Sequence, residues 1–258
     1  MTTDSHRTLI LDQFTRQATP FSTAKTIADE AALRLLLDFS GAGKQDKVLD
    51  VACGGGLVVC AFAPVVAHAT GIDVTPAMLA RARALAQERN LRNVGFDEGD
   101  VTRLPYADAE FSIVLSRFTF HHFLDPLTVL KEMVRVCAPG GTVMVIDTQA
   151  SVTPAQADAF NEMEKLRDPS HVRAMPLAEL QQLFADAQLP PPRVTAYELR
   201  DELENLLARS FPNPGDADKI RARFAASVED DCLGIPVRRE DNRLLYAYPV
   251  SVLAARRA

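Results

Sequence analysis

The nine residues from Val48 to Gly56, with the sequence VLDVACGGG, constrain the fold of this chain more than any other feature. A strand-like apolar run that carries an acid at Asp50 meets three consecutive glycines, and a helical run from Leu57 to Ala63 follows. Glycine allows a tight turn and a close approach of the backbone to a ligand, and the free N–H groups at the start of the next helix favour a negatively charged group. This arrangement predicts a site for a nucleotide-type cofactor.

Two cofactor classes compete for such a loop. The dinucleotide fingerprint Gly-x-Gly-x-x-Gly needs its third glycine for close packing of the helix. Counting from Gly54, the chain has Gly56 but then Val59, so this fingerprint is not met. The second candidate is a loop that binds S-adenosylmethionine (SAM), which the segments further along the chain favour.

Four later segments bear on this choice. A short second strand ends at Asp73, where a carboxylate can accept hydrogen bonds from both ribose hydroxyls. The other three are Gly99-Asp100-Val101 after a third strand, a fourth strand at 111–117 followed by His121 and His122, and a helix from Leu130 that ends at Pro139-Gly140-Gly141 before a fifth strand at 142–147. Each segment alone is weakly specific, whereas all four in this order are strongly indicative.

With these motifs, residues 45–150 resemble the class I SAM-dependent methyltransferases, especially their small-molecule branch of the ubiquinone/menaquinone-biosynthesis type. The resemblance implies that Asp73 binds the ribose, that Asp100 holds the adenine amino group, and that Asp50 orients the loop or the amine on the sulfonium side. Turn capping is the alternative for Asp100, local backbone capping for Asp50, and an ordinary core position for Met78. The implied cofactor contacts are Asp50, Ala52, Cys53, Gly54, Gly56, Asp73, Val74, Met78, Gly99, Asp100, Val101, Ser116 and Arg117.

Ala52 departs from the family pattern, which usually has glycine two residues after the acid. Alanine fits this position if its φ angle is negative. We therefore expect a slightly altered loop that still binds the cofactor.

The first 40 residues resemble the N-terminal lid of related enzymes, in which an aromatic residue covers the methionine end of SAM. Phe14 and Phe21 are the candidates for this contact, and packing of a helix from Ile27 to Phe39 on the sheet is an equally weighted alternative. His6 and His68 are assigned no role.

Alternation of strands and helices from about residue 47 to residue 147 predicts an α/β fold with a parallel sheet and helices on both faces. The resemblance extends this to a single domain over 1–258, with a Rossmann-like, mostly parallel sheet of seven strands and an antiparallel last strand. Within it we expect lid helices at 1–40, the SAM-binding core at 45–150, and a helical substrate cap at 151–235 around the sixth strand.

Composition limits the classes of partner. The formal charge of −6 and the pI near 5.4 oppose nucleic-acid binding, which needs a concentrated basic surface. The four cysteines form no C-x-x-C pair, and the first 30 residues hold no long apolar run. We therefore expect a soluble, cytoplasmic monomer or homodimer without a membrane span.

Three histidines are the candidates for catalytic bases, because His is the usual base near neutral pH. His121 and His122 follow the fourth strand, and in an extended segment they would point to opposite sides. His171 lies in a polar stretch whose Arg167 or Arg173 could grip a polar acceptor. The alternatives are histidines at 121 and 122 that only shape the pocket or bond to the backbone, and a solvated loop with internal ion pairs around His171.

The sequence thus predicts transfer of a methyl group from SAM to an O, N or C atom of a small organic molecule by direct in-line displacement, with no metal and with S-adenosylhomocysteine as product. The alternatives are a protein that uses the SAM site for a non-methylating isomerisation or cyclisation, and a non-catalytic SAM-binding partner module.

Overall fold

The computed structural model describes residues 3–24 and 26–258, and the side chains of residues 3 and 21–23 lie outside this description. The predicted contact of Phe21 therefore falls outside the described side chains. In chain order the elements are α1 (Thr3–Thr23), α2 (Glu30–Ser40), β1 (Lys47–Val51), α3 (Leu57–Phe62), β2 (His68–Asp73), α4 (Pro76–Glu88), β3 (Val94–Glu98), β4 (Phe111–Arg117), a 3-10 helix (Phe120–His122), α5 (Pro126–Val136), β5 (Cys137–Thr148), α6 (Pro154–Arg167), α7 (Leu177–Asp186), β6 (Arg193–Glu202), α8 (Leu203–Ser210), α9 (Asp216–Asp230), β7 (Val237–Glu240) and β8 (Arg243–Arg256).

The described strands form one sheet in the order β3-β2-β1-β4-β5-β8-β6, and β7 pairs with β8. Strands β1 to β5 are parallel, whereas β8 is antiparallel to β5, β6 and β7. The predicted α/β fold with a mostly parallel sheet and an antiparallel last strand is confirmed. The strand β7 was not predicted, because Arg238 and Arg239 were interpreted as a solvated basic pair. Both side chains are exposed, as expected, but they lie on this short edge strand.

The boundary between α5 and β5 differs from the prediction. The helix ends at Val136 rather than at Pro139, and β5 begins at Cys137, which pairs with Phe111 of β4. The register between the two strands then shifts before Thr142 pairs with Ile113. Gly141 makes this irregularity possible, because a Cβ atom there would lie 2.7 Å from the carbonyl oxygen of Ser112.

Helix starts follow the capping residues. The side chain of Asp125 caps α5 by accepting from the backbone N–H of Thr128, and Asp29 caps α2 in the same way. Pro76 and Pro126 occupy the first turns of their helices as predicted, because a first-turn residue needs no intrahelical N–H bond. Thr75 holds the N-cap position of α4 without a capping hydrogen bond from its side chain.

The core lies on both faces of the sheet, because successive side chains of a strand point to opposite faces. In β5, Met144 and Ile146 pack into one apolar cluster with the helices α3, α6, α8 and α9. Val143 and Val145 pack into the other cluster with α5 and α7. Helices on both faces leave the carboxyl ends of the parallel strands free to build a site. No helix within the described residues is long and apolar enough to cross a membrane.

Candidate functional site

The glycine loop turns at two residues in the left-handed region, Gly54 with φ +51° and Gly56 with φ +75°. A Cβ atom at Gly56 would lie 2.7 Å from the Cβ of Ala82 in α4. Glycine is therefore required there for the close packing of the loop on that helix as well as for the turn. Gly56 lies on the side of the loop that packs on α4 and does not line the cavity described below.

Ala52 has φ +57°, which contradicts the expectation of a negative angle. The loop keeps the left-handed conformation that glycine would adopt, and alanine occupies it at a steric cost. Ala52 faces the cavity with the neighbouring Cys53 and Gly54. Burial raises the pKa of the Cys53 thiol well above its usual range, so this side chain is a neutral part of the wall.

Asp73 joins the ends of β1 and β2. Its Oδ2 accepts from the backbone N–H of Gly54 at 2.8 Å, and its Oδ1 accepts from that of Thr75 at 2.8 Å. The residue is 7% exposed, and burial raises the pKa of its carboxyl although the backbone hydrogen bonds oppose this. Each carboxylate oxygen has a second lone pair, so Asp73 can still accept from two hydroxyls of a ligand.

Asp50 lines the same cavity and is 2% exposed. Its carboxylate has no hydrogen-bond partner among the residues that the structure describes. Burial raises its pKa well above the usual range, and the charge of Arg117 opposes this effect. A buried acid without a partner is costly, so this position fits a ligand that brings its own donor or positive charge.

Arg117 ends β4 beside Asp50. Its guanidinium donates to the carbonyl oxygen of Ile27 at 3.1 Å and lies over the ring of Phe118, 4.5 Å from the ring centre. Within the described chain, the buried Nε of Arg117 has no hydrogen-bond partner. Phe118 itself has φ +59°, a conformation that turns the chain sharply out of the strand and into the cavity wall.

These groups surround one cavity of about 520 Å³, a size typical of ligand sites. Twelve of the residues predicted from the sequence line it: Phe14, Asp50, Ala52, Cys53, Gly54, Asp73, Val74, Met78, Asp100, Val101, Arg117 and His122. Asp100 is exposed, and its Oδ1 accepts from both the N–H and the hydroxyl of Thr102. The turn cap expected as the alternative for Asp100 is therefore present, and its other oxygen has no partner among the described residues.

Two further predicted contacts lie beneath the cavity. Ser116 is fully buried, and its hydroxyl donates to the carbonyl oxygen of Val51 at 2.8 Å, which ties β4 to the loop. The N–H of Gly99 donates to the carbonyl oxygen of Asp73 at 3.1 Å, and a Cβ there would lie 2.8 Å from Ile72. Both residues hold the wall in place instead of lining it.

Helix α1 covers one end of the cavity and brings a residue that sequence reasoning missed. His6, which was assigned no role, is 5% exposed and donates from Nε2 to the carbonyl oxygen of His122 at 2.7 Å. Phe14 meets the ring of His122 edge-on with the ring centres 5.0 Å apart. His6 reaches the site only through a contact with a residue 116 positions away, so no local sequence pattern could have predicted it.

His121 and His122 lie in a 3-10 helix rather than in the extended segment that was expected, so they do not point to opposite sides. Their ring centres are 4.3 Å apart. His121 bonds Asp147 twice, from its backbone N–H to Oδ2 at 2.9 Å and from its ring Nδ1 to Oδ1 at 2.5 Å. Asp147 is thus a second residue that the sequence did not identify as part of the site.

The pKa values of the two rings are shifted in opposite directions. Burial lowers the pKa of His121, but the charge and hydrogen bond of Asp147 outweigh burial and leave that pKa above its usual value. Burial and the neighbouring His121 lower the pKa of His122 to about 4. At neutral pH, His122 is therefore an uncharged ring beside a ring that favours the charged form.

His171 is 2% exposed and lies 5.4 Å from His121 between ring centres, but it lines neither cavity of this region. Its Nε2 donates to the amide oxygen of Asn161 at 2.8 Å. The alternative is wrong in that Asp168 is buried and the Arg167 side chain is only 13% exposed, whereas the internal ion pair it expected is present between Arg167 and Glu164. Arg173, in contrast, pairs with Glu179 on the surface.

A smaller inner chamber of about 60 Å³ opens behind the two rings. It shares Phe14, Ile27, Phe118 and His122 with the main cavity, so the two spaces are adjacent. The inner wall adds polar side chains from several elements: Gln17, His121, Thr148, Glu164, Arg167, Asp168, Arg209, Ser210 and Tyr248. Among the described residues, no three His, Cys, Asp or Glu side chains are grouped so as to hold a metal ion.

Comparison with known proteins identifies the family. A family model described as a methyltransferase domain matches residues 49–145. The uncharacterized methyltransferase YcgJ of Bacillus subtilis is 31% identical over 206 residues, which are 80% of this chain and 81% of the relative. The crystal structure of YcgJ superposes with a TM-score of 0.81 at 26% identity and covers 88% of this chain and 99% of the other.

The ubiquinone/menaquinone biosynthesis C-methyltransferase UbiE of Bdellovibrio bacteriovorus is 41% identical over 114 residues, 43% of this chain and 48% of that protein. The match with YcgJ covers most of both chains, whereas that with UbiE is confined to a shorter segment. The predicted family is confirmed: this chain belongs to the class I SAM-dependent methyltransferases.

Proposed function

We propose that this enzyme binds SAM in the 520 Å³ cavity and methylates a small organic molecule that enters beside helix α1. The observation that carries the proposal is a single cavity that begins at the acids Asp50 and Asp73 and continues to His122. SAM supplies a methyl group already activated by the sulfonium, so the protein's main tasks are to place the acceptor and to exclude water.

The unused hydrogen-bonding capacity of the cavity fits SAM. Asp73 has free lone pairs for the ribose hydroxyls, and Asp50 has a buried carboxylate for the ammonium of the methionine part. Val74, Met78 and Val101 form apolar wall for the adenine, and the free oxygen of Asp100 suits its amino group. In this assignment, residues 50–54, 73–78, 100–101 and 117 hold the cofactor.

Helix α1 and the segment 151–235 complete the acceptor side in this proposal. The lid role of α1 is supported by its contacts with His122 and by Gln17, whose amide bonds Asp168 at 3.3 Å. The cap role of 151–235 is supported by Arg167, Arg209 and Ser210, which reach the inner chamber from α6 and α8. The limited size of both spaces supports a small molecule as acceptor.

Calorimetry with S-adenosylhomocysteine tests the cofactor site without a known acceptor. Asp73→Ala is expected to weaken binding at least tenfold, because charge-assisted hydrogen bonds contribute about 1.5–3 kcal/mol each and about 1.4 kcal/mol is tenfold. Asp38→Asn is the matched control, since Asp38 is an exposed carboxylate on α2 that pairs with Arg34. Urea unfolding of each variant verifies that the fold is retained.

Absence of binding by the wild-type protein at millimolar S-adenosylhomocysteine contradicts the proposal. A screen of small molecules with methyl-labelled SAM then identifies the reaction. Label in the product supports methyl transfer. A changed product without label would instead indicate an isomerisation or cyclisation at the SAM site, and cofactor binding without any product over a broad screen would favour a non-catalytic module.

A further inference from the structure

The hydrogen bonds of His122 determine which ring nitrogen carries its proton. The hydroxyl of Ser170 donates to Asp168 Oδ1 at 2.6 Å, so it has no hydrogen left for His122. His122 Nδ1 lies 3.0 Å from the carbonyl oxygen of Ser170, which can only accept. Nδ1 therefore carries the hydrogen, and Nε2 of this uncharged ring keeps a free lone pair.

His121 has the opposite character. Its Nδ1 donates to Asp147, and the carboxylate favours the charged ring, in which Nε2 also carries a hydrogen. Among the described residues, neither His121 Nε2 nor His122 Nε2 has a hydrogen-bond partner. Both atoms remain accessible, since neither is a fully buried polar atom without a partner. The pair thus offers one donor and one acceptor where the main cavity meets the inner chamber.

We propose that His121 and His122 form the acceptor subsite for an acidic hydroxyl, a phenol or an enol, in which His122 Nε2 accepts the proton and the His121 imidazolium holds the oxygen anion. The assignment rests on the proposed methyl transfer. A single oxygen atom can accept from His121 and donate to His122 at once, whereas an ammonium would face the positive ring of His121. The aromatic rings of Phe14 and Phe118 stand beside the pair and suit a flat, unsaturated acceptor.

Atoms and charges balance in this step. The O–H bond of the acceptor breaks and its proton passes to His122 Nε2. The electron pair left on the oxygen, or on a carbon conjugated with it, bonds the methyl group as the methyl–sulfur bond breaks and its electron pair stays on sulfur. The products are the methylated acceptor and S-adenosylhomocysteine, and the proton leaves His122 for solvent.

Asp147 acts through His121 and is a positioning residue. The other charged or titratable groups that face the two rings come from α1, α6, the following loop, β8 and α8: His6, Glu164, Arg167, Asp168, His171, Tyr248 and Arg209. Most are already paired. Arg167 bonds Glu164 at 2.6 Å, Glu164 also accepts from Tyr248, and Arg209 bonds Asp201 at 2.5 Å. Among the described residues, His121 is paired with Asp147 through Nδ1 as well, but its Nε2 has no partner and can meet a ligand oxygen at the pair.

Para-nitrophenol tests the subsite, because its ionised form absorbs visibly and the probe needs no turnover. It is titrated with the complex of the full chain and S-adenosylhomocysteine at a pH below the pKa of the probe. Wild-type protein is expected to lower the pKa of the bound probe by about 1–3 units, the effect of a nearby opposite charge. His121→Asn keeps a donor for Asp147 but removes Nε2, and it is expected to abolish most of this shift.

Two further readouts separate this role from a merely structural one. Affinity for the ionised probe is expected to fall as pH rises through the pKa of His121, and Asp147→Asn is expected to move that fall to lower pH. Nuclear magnetic resonance of labelled histidine is expected to show a rise in the pKa of His122 when the ionised probe binds, because an oxygen anion beside Nε2 favours the charged ring. His68→Asn is the matched control, because His68 lies at the start of β2, outside both chambers.

If S-adenosylhomocysteine binds but the probe fails to bind or keeps its solution pKa, the subsite assignment is overturned while the cofactor site stands. An equal shift in His121→Asn and wild type also overturns it. If the wild-type protein does not bind S-adenosylhomocysteine at all, the proposed function itself fails.

Discussion

Replacing Gly56 by alanine measures how closely the cofactor loop packs on α4. The added Cβ would lie 2.7 Å from Ala82 Cβ, 3.1 Å from Ala82 Cα and 3.1 Å from Phe96, and the residue has φ +75°. The left-handed conformation costs alanine about 1–2 kcal/mol. Overpacking adds about 1–3 kcal/mol, so Gly56→Ala is expected to lower the free energy of unfolding by about 2–5 kcal/mol.

Gly41→Ala is the control that separates the two contributions. Gly41 ends α2 with φ +72°, and nothing lies within 4 Å of the Cβ that alanine would add. This variant is therefore expected to lose only the conformational part, about 1–2 kcal/mol. Urea denaturation of both variants gives the difference, and calorimetry with S-adenosylhomocysteine is expected to show weaker binding for Gly56→Ala alone.

A double variant tests the contact directly. Adding Ala82→Gly removes the atom that the new Cβ would meet, so Gly56→Ala is expected to cost less in that background, by about 1 kcal/mol or more in a double-mutant cycle. If Gly56→Ala destabilises no more than Gly41→Ala, or if the cycle shows no coupling, the close-packing argument is refuted.

Two further predictions concern backbone strain and buried charge. Ala52→Gly relieves the strain of φ +57° but increases the entropy of the unfolded chain. Urea denaturation is therefore expected to show a free energy of unfolding that rises by no more than about 1 kcal/mol. A clear decrease would contradict the strained conformation. His122 has a folded pKa of about 4, below its unfolded value, so the unfolded state binds more protons between these values and the stability falls as pH drops through this window. In His122→Asn, urea unfolding from about pH 7 to about pH 4 is expected to show a stability loss smaller than that of wild type by about 3 kcal/mol, and identical profiles would contradict the lowered pKa.

The sequence by itself was sufficient for the fold class and for predicting residues that the structure places around one cavity. Glycine spacing, an acid at the end of each of two strands and capped helices are local signals, because turns, strand ends and helix starts depend on a few consecutive residues. Asp50, Asp73 and Gly54, which line that cavity, could therefore be proposed as cofactor contacts from their neighbours along the chain. The same local reasoning missed the angle at Ala52, because packing of the loop, rather than the preference of alanine, determines that conformation.

Only the tertiary structure decided how the proposed acceptor end is built. Asp147 meets His121 across 26 positions, and His6 meets His122 across 116. No periodicity records such contacts, since they arise when the carboxyl ends of β4 and β5 come together and α1 closes over them. The charge of each histidine follows from these partners and from burial, and therefore from the fold rather than from the residue type.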